Sequence, residues 1–202
     1  MFSIFKYFKK GSKPSDNKKF LVVGLGNIGE EYKNTRHNIG FDITEQLAII
    51  LKGSFNSVKY GEILKSKYSG KQIVLLKPNT FMNLSGKAVL YWLKKEKIQI
   101  NNLIVIVDDL NINFGISRLK PSGSDGGHNG LKDIANSLNT SNFTRLRFGI
   151  GNNFKKKDQV DFVLSKWNND ESTSLNALID KNIEIIFSAI KNGLDFTMNK
   201  YN

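Results

Sequence analysis

A chain of 202 residues has room for one domain with a real core and is cramped for two. It contains no cysteine, which removes disulfides, thiolate metal sites and any cysteine nucleophile and fits a reducing compartment. Thirty Lys and Arg against eighteen Asp and Glu give a net charge of +12, a field that attracts polyanions, nucleic acid first among them.

The first 18 residues set Met1, Ile4, Phe5 and Phe8 at helical spacing among lysines and then dissolve into Gly, Ser, Pro and Lys. They lack the long apolar run and small-residue cleavage site of a secretory signal. This segment is expected to be a flexible basic extension, and the folded domain to occupy residues 19–202. No apolar run approaches the ~20 residues that cross a bilayer.

From Lys19 the pattern becomes regular. Lys19 to Gly24 (KFLVVG) is a short β-branched run suited to a strand buried on both faces. Gly40 to Leu51 spaces Phe41, Ile43, Leu47 and Ile50 for one face of a helix, with Gly53 as a stop. Strands are predicted over Glu62 to Tyr68 and Gln72 to Leu76, joined by a Ser69-Gly70 turn, then a helix over Leu84 to Lys97 with a basic last turn. Leu103 to Val107 (LIVIV) is a second buried strand, ending in Asp108-Asp109. There follow a strand over Ile116 to Lys120, a glycine-rich loop over Ser122 to Gly130, a helix from Leu131, a strand over Arg145 to Ile150 and a long amphipathic helix from Glu171 to Ile190. Alternating strands and helices predict an α/β fold, a single-domain mixed β-sheet sandwiched by helices.

The stretch GLGNIG at Gly24 to Gly29 spells the dinucleotide fingerprint G-x-G-x-x-G. That fingerprint needs its third glycine to open a helix whose free amides meet the pyrophosphate. Here Gly29 opens EEYKNTRHN, with two acids where the pyrophosphate would sit, and Glu45, at the spacing of the ribose acid, falls inside a predicted helix. The glycines read instead as a tight strand exit.

Both histidines of the chain stand in His-Asn doublets within polar, glycine-bearing loops, TRHNIG at His37 and GGHNG at His128. An imidazole beside the end of a buried strand is placed for general-base work. A carboxylate bonded to one ring nitrogen would fix the tautomer and raise the basicity of the other, and Asp108 or its neighbour Asp109 could supply it. Asn27, Asn38, Asn83 and Asn129 surround these features. Asparagine is ordinarily a turn and cap residue, and Asn83 is as suited to capping as to binding. A carboxamide also offers donor and acceptor together, the complement of a peptide unit. The chain lacks a serine elbow, a phosphate loop and the H-E-x-x-H zinc motif. His37, Asp108 and His128 could ligate a metal only if folding joined them.

Five ordered segments, VGLGNIGEEYKNTRHNIGF, FMNLSG, DDLN, GSDGGHNGLKDI and FTRLRFGIG, resemble bacterial-type peptidyl-tRNA hydrolase, with the resemblance running from about Lys19 to the C-terminal helix. It implies a monomeric, cytoplasmic, RNA-binding α/β enzyme, without cofactor or metal, that cleaves the ester between a peptide and the 3′ ribose of peptidyl-tRNA. On this resemblance His37 is the general base, Asp108 orients it, and Asn27 completes the catalytic set. Tyr32 then lies at the tRNA 3′ end, Met82, Asn83 and Asn129 bind the substrate, and Lys120 and Arg147 grip the tRNA 5′ phosphate. Three departures stand out: Ile28 where the family usually has proline, Asn111 where it usually has a second acid, and Asp125 in the glycine loop. Two other readings compete with this one, an inactive relative that keeps the RNA surface and, further off, a dinucleotide oxidoreductase.

Overall fold

The computed structural model describes residues 18–202; the N-terminal extension, apart from Lys18, lies outside the described residues. Seven strands form one mixed sheet in the order β2-β3-β4-β1-β5-β7-β6. They are β1 (Lys19–Gly24), β2 (Asn56–Val58), β3 (Gly61–Tyr68), β4 (Lys71–Pro78), β5 (Leu103–Asp109), β6 (Ser117–Lys120) and β7 (Thr144–Gly149). The central four, β4, β1, β5 and β7, run parallel, while β2, β3 and β6 add antiparallel margins. The β3–β4 hairpin turns on Ser69 (φ 49°) and Gly70 (φ 75°), the two positive φ values that suit a two-residue turn to the twist of its strands.

Helices cover both faces, which is why the central strands are continuous apolar runs. On one face Phe20 and Val22 of β1 and Ile104 and Ile106 of β5 pack with Ile39, Ile43 and Leu47 of α1 (Ile39–Ile50) and with Ile183, Ile186 and Ile190 of α5 (Asn169–Asn192). On the other, the alternate residues Leu21, Val23, Val105 and Val107 meet Val89 and Trp92 of α2 (Ser85–Glu96) and Leu131 and Ile134 of α3 (Asn129–Leu138). At roughly 1.5–3 kcal/mol for each large apolar side chain fully buried, this double layer carries the fold. Two short helices complete it, α4 (Gln159–Leu164) and α6 (Leu194–Tyr201).

The expected architecture and every strand and helix read from the sequence are present, with ends moved by one or two residues. α2 stops at Glu96, because Lys97 takes a left-handed conformation (φ 53°) and closes the helix. α3 starts at Asn129, two residues early, because His128 caps it. α5 starts at Asn169 behind a capping box made by Asn168 and Glu171. The sequence reading omitted β2, α4 and α6, of three, six and eight residues, which are too short to show a period.

The chain leaves β1 over one face through α1 and returns to β5 over the other through α2, so the winding reverses between β1 and β5. Open α/β sheets place their sites at the carboxyl ends of strands at such a reversal. Here β1 and α1 approach unusually closely: a Cβ on Gly24 would stand 2.1 Å from the Gly40 carbonyl oxygen and 2.2 Å from Thr44 Oγ1. Gly24→Ala is therefore expected to destabilise the protein by about 2–3 kcal/mol, as overpacking of a close contact does, measured as a lower midpoint of urea unfolding at unchanged slope.

Candidate active site

Two buried strands deliver the centre of the site. β5 ends on Asp108 and Asp109, 5% and 4% exposed, and the acids part company there. Asp108 meets both histidines, whereas Asp109 ion-pairs with Arg147 and accepts the Asn111 amide at 2.8 Å. A 3₁₀ turn (Arg36–Asn38) leading into α1 presents His37, and the end of the glycine loop presents His128.

The hydrogen bonds assign both tautomers. His37 Nδ1 lies 2.9 and 3.0 Å from the Asp108 carboxylate oxygens, and a carboxylate only accepts, so Nδ1 carries the proton and Nε2 is left as an acceptor. His128 Nδ1 accepts from the amides of Gly130 (3.1 Å) and Leu131 (3.3 Å), so its proton sits on Nε2 and is donated to Asp108 Oδ1 at 3.0 Å. One carboxylate thus receives two imidazole donors. Burial alone would raise the Asp108 pKa, but the charge and hydrogen bonds of His37 and His128 hold it well below the usual carboxylate range. For His37 the balance runs the other way: burial pushes its pKa down, yet the Asp108 charge and hydrogen bond outweigh that and leave it above the ordinary 6.5.

Asn27, just beyond β1, is held by its neighbours. Its backbone N–H donates to Asn38 Oδ1 (2.8 Å) and its carbonyl accepts from Asn38 Nδ2 (2.9 Å), so Asn38 pairs with this peptide unit as a strand would. The Asn27 side-chain oxygen accepts from the Met82 amide at 3.1 Å, which leaves its NH₂ as the spare donor. These bonds fix the chain at Asn27, and the side chain of Ile28 after it is 44% exposed.

Asn27, His37, Met82, Asn83, Asp108, Asn129 and Arg147 all line one cavity of about 370 Å³, a volume within the range of ligand sites. Leu110 and, from α4, Val160, Val163 and Leu164 give it apolar wall. Asn83 is exposed in a 3₁₀ turn (Met82–Leu84) and is not the cap of α2, Leu84 being the residue before that helix. Two expected site residues lie outside this lining. Tyr32 is half-buried on the separate 3₁₀ turn Glu30–Tyr32, and Lys120 is exposed at the end of β6, where the glycine loop begins.

Folding does join His37, Asp108 and His128, whose ligand atoms lie within 4.8 Å of one another. Asp108 already accepts from both rings, and a cation on its carboxylate would have to displace those donors. The dinucleotide reading finds no support, since Gly29 precedes only the three-residue turn Glu30–Tyr32 instead of opening a helix as the fingerprint requires.

Residues 21–202 match the family model for peptidyl-tRNA hydrolase. Peptidyl-tRNA hydrolases of Parabacteroides distasonis and Bacteroides fragilis are each 50% identical over 184 residues, 91% of this chain and 98% of theirs. The crystal structure of peptidyl-tRNA hydrolase from Acinetobacter baumannii superposes with a TM-score of 0.87 at 35% identity, over 92% of this chain and 95% of that one. The chain belongs to the peptidyl-tRNA hydrolase family.

Within that family frame, the sequence reading assigned no role to His128, Asn38 or α4. The two His-Asn doublets were visible, but His128 acts as a helix cap through a ring nitrogen, outside the usual capping residues. By NMR, His37 is expected to titrate above 6.5 in the wild type and to fall below that value in Asp108→Asn, where burial remains and the raising charge is gone. An unmoved His37 titration would contradict this account of the pair.

Proposed function

We propose that His37 is the general base with which this member of the peptidyl-tRNA hydrolase family releases free tRNA from peptidyl-tRNA. The observation that carries the reading is the orientation of one ring: Nδ1 bound to Asp108, Nε2 an unprotonated acceptor, in a cavity bordered by carboxamides. Water hydrogen-bonded to Nε2 gives up its proton as its oxygen attacks the ester carbonyl carbon. The tetrahedral intermediate collapses with cleavage of the bond to the ribose 3′ oxygen, and the proton on Nε2 passes to that leaving oxygen. Asp108 stays ionised throughout and stabilises the imidazolium.

The spare NH₂ of Asn27 is suited to the carbonyl oxygen that becomes negative, a task best done by a donor fixed in advance. Asn83 and Asn129 offer carboxamides to the peptide backbone, and Met82 gives its side chains an apolar contact. An ester activated in this way reacts with a positioned base, worth ~10²- to 10⁴-fold, without a covalent nucleophile or a metal.

Arg147 and Lys120 suit the tRNA 5′ phosphate. In the β6–β7 pair Arg118 stands opposite Arg147 and Lys120 opposite Arg145; Arg145 is buried against loop carbonyls, which leaves Arg118, Lys120 and Arg147 to meet a phosphate. Tyr32, on its turn outside the cavity, is assigned to the tRNA 3′ end. Among the described residues no helix is long and apolar enough to cross a membrane. We assign the enzyme to the cytoplasm as a monomer, the place and state in which a single site meets a freely diffusing tRNA.

His37→Ala is expected to lower kcat on N-acetyl-aminoacyl-tRNA by ~10²- to 10⁴-fold with the fold intact by circular dichroism, and near-normal turnover would refute the assignment. Because the base must be neutral, wild-type kcat/KM should rise with pH through a midpoint above 6.5. Replacing Lys120 and Arg147 together should weaken tRNA binding and flatten the dependence of log Kd on log salt by about two contacts' worth; an unchanged slope would remove both from the phosphate site.

A further inference from the structure

Arg36 precedes the base and has no part in the chemistry above. It is 5% exposed, and its guanidinium is directed at a segment far along the chain. Nη1 donates to the Lys166 carbonyl at 2.8 Å and to the hydroxyl and carbonyl of Ser165, while Nη2 donates to Glu171 Oε2. The guanidinium lies over the Phe162 ring at 4.5 Å and by the Trp167 ring at 5.4 Å. The backbone adds to the attachment: Arg36 N–H donates to Ser165 O at 3.1 Å, and Thr35 forms an antiparallel bridge with Lys166.

These partners enclose α4. Phe162 lies within it, Ser165 follows its last residue, and Glu171 belongs to the capping box of α5. A helix of six residues with none fully buried has little to hold it in place alone. A planar cation just past its C-terminus meets the carbonyls of Ser165 and Lys166, and the fork of donors can reach several acceptors at once. The same α4 supplies Val160, Val163 and Leu164 to the cavity of His37 and Asp108.

We propose that Arg36 is a positioning residue that ties the apolar α4 wall of the peptide cavity to the turn carrying His37. Wall and base are then held in one register, and substrates with longer peptides bind against a wall already in place. The proposal rests on the peptidyl-tRNA reading only for what fills the cavity; the tether is independent of it.

Two variants test it. Arg36→Lys keeps the charge and loses the fork, and Arg36→Met with Glu171→Gln removes both charges, so that neither is left buried without its partner. In each, hydrogen exchange of the amides of residues 159–167 is compared with that of β1 and β5, and kinetics are measured on N-acetyl-aminoacyl-tRNA and on a tetrapeptidyl-tRNA. The expected result is exchange faster by about tenfold or more in α4 alone. KM for the longer substrate should rise about tenfold, the size of a lost apolar contact, with kcat and the pH midpoint near wild type. Unchanged α4 exchange in a folded variant, or acceleration throughout the sheet, would overturn the tether. A displaced pH midpoint at unchanged KM would overturn it too, by showing that Arg36 acts on the base itself. Should the wild type cleave neither substrate, the reaction assignment fails and the exchange comparison still decides the tether.

Discussion

Everything at this site depends on one buried carboxylate that accepts from two imidazoles. Asp108 is charged and almost without solvent, a condition that costs several kcal/mol unless its lone pairs are satisfied. Two imidazole N–H donors, one from each histidine, satisfy it. Their tautomers differ for a reason in the backbone: His37 turns Nδ1 toward the acid and leaves Nε2 without a protein partner among the described residues, while His128 uses Nδ1 to cap α3 and can offer only Nε2. One histidine thereby keeps a free acceptor nitrogen and the other has both nitrogens bonded within the protein.

The fold serves this arrangement by bringing distant segments to one reversal of the sheet. Asn27 follows β1, Asp108 ends β5, and His37 and His128 each stand at the start of a helix, α1 on one face and α3 on the other. The carboxylate therefore bridges the two layers of the core. The cation-rich β6–β7 pair lies alongside, with Arg147 ion-paired to Asp109, so that the acid that meets the histidines and the acid that meets β7 are adjacent residues of one strand.

Much of this was legible in the sequence. Strands buried on both faces announce themselves as apolar runs, and the long helices by their period, so the architecture followed from KFLVVG, LIVIV and the amphipathic segments. Asn27 and Asp108 stand beside strand ends, His37 lies in a polar loop, and all three fall in the motifs of the resemblance. What was hidden lies in side chains that act across the fold. Which of Asp108 and Asp109 faces the histidines depends on the pleat of β5; the use of Asn38 as a surrogate peptide depends on where β1 ends; and the grip of Arg36 on Ser165 and Glu171 spans more than 125 positions of chain. No local pattern encodes those pairings. Tyr32 and Lys120 show the reverse case, residues named through resemblance that the fold keeps outside the cavity lining.

The bare glycine at the end of β1 has a geometric meaning beyond allowing a turn. Because Gly24 and Gly40 meet with only hydrogens between them, the start of α1 sits at a height above the sheet fixed by backbone contact rather than by a deformable side chain. His37 is carried three residues before Gly40, and Asp108 ends the strand next to β1. Those two glycines act as a gauge block: backbone contact at Gly24 and Gly40 sets the height of α1 and so the gap across which the imidazole and the carboxylate face each other.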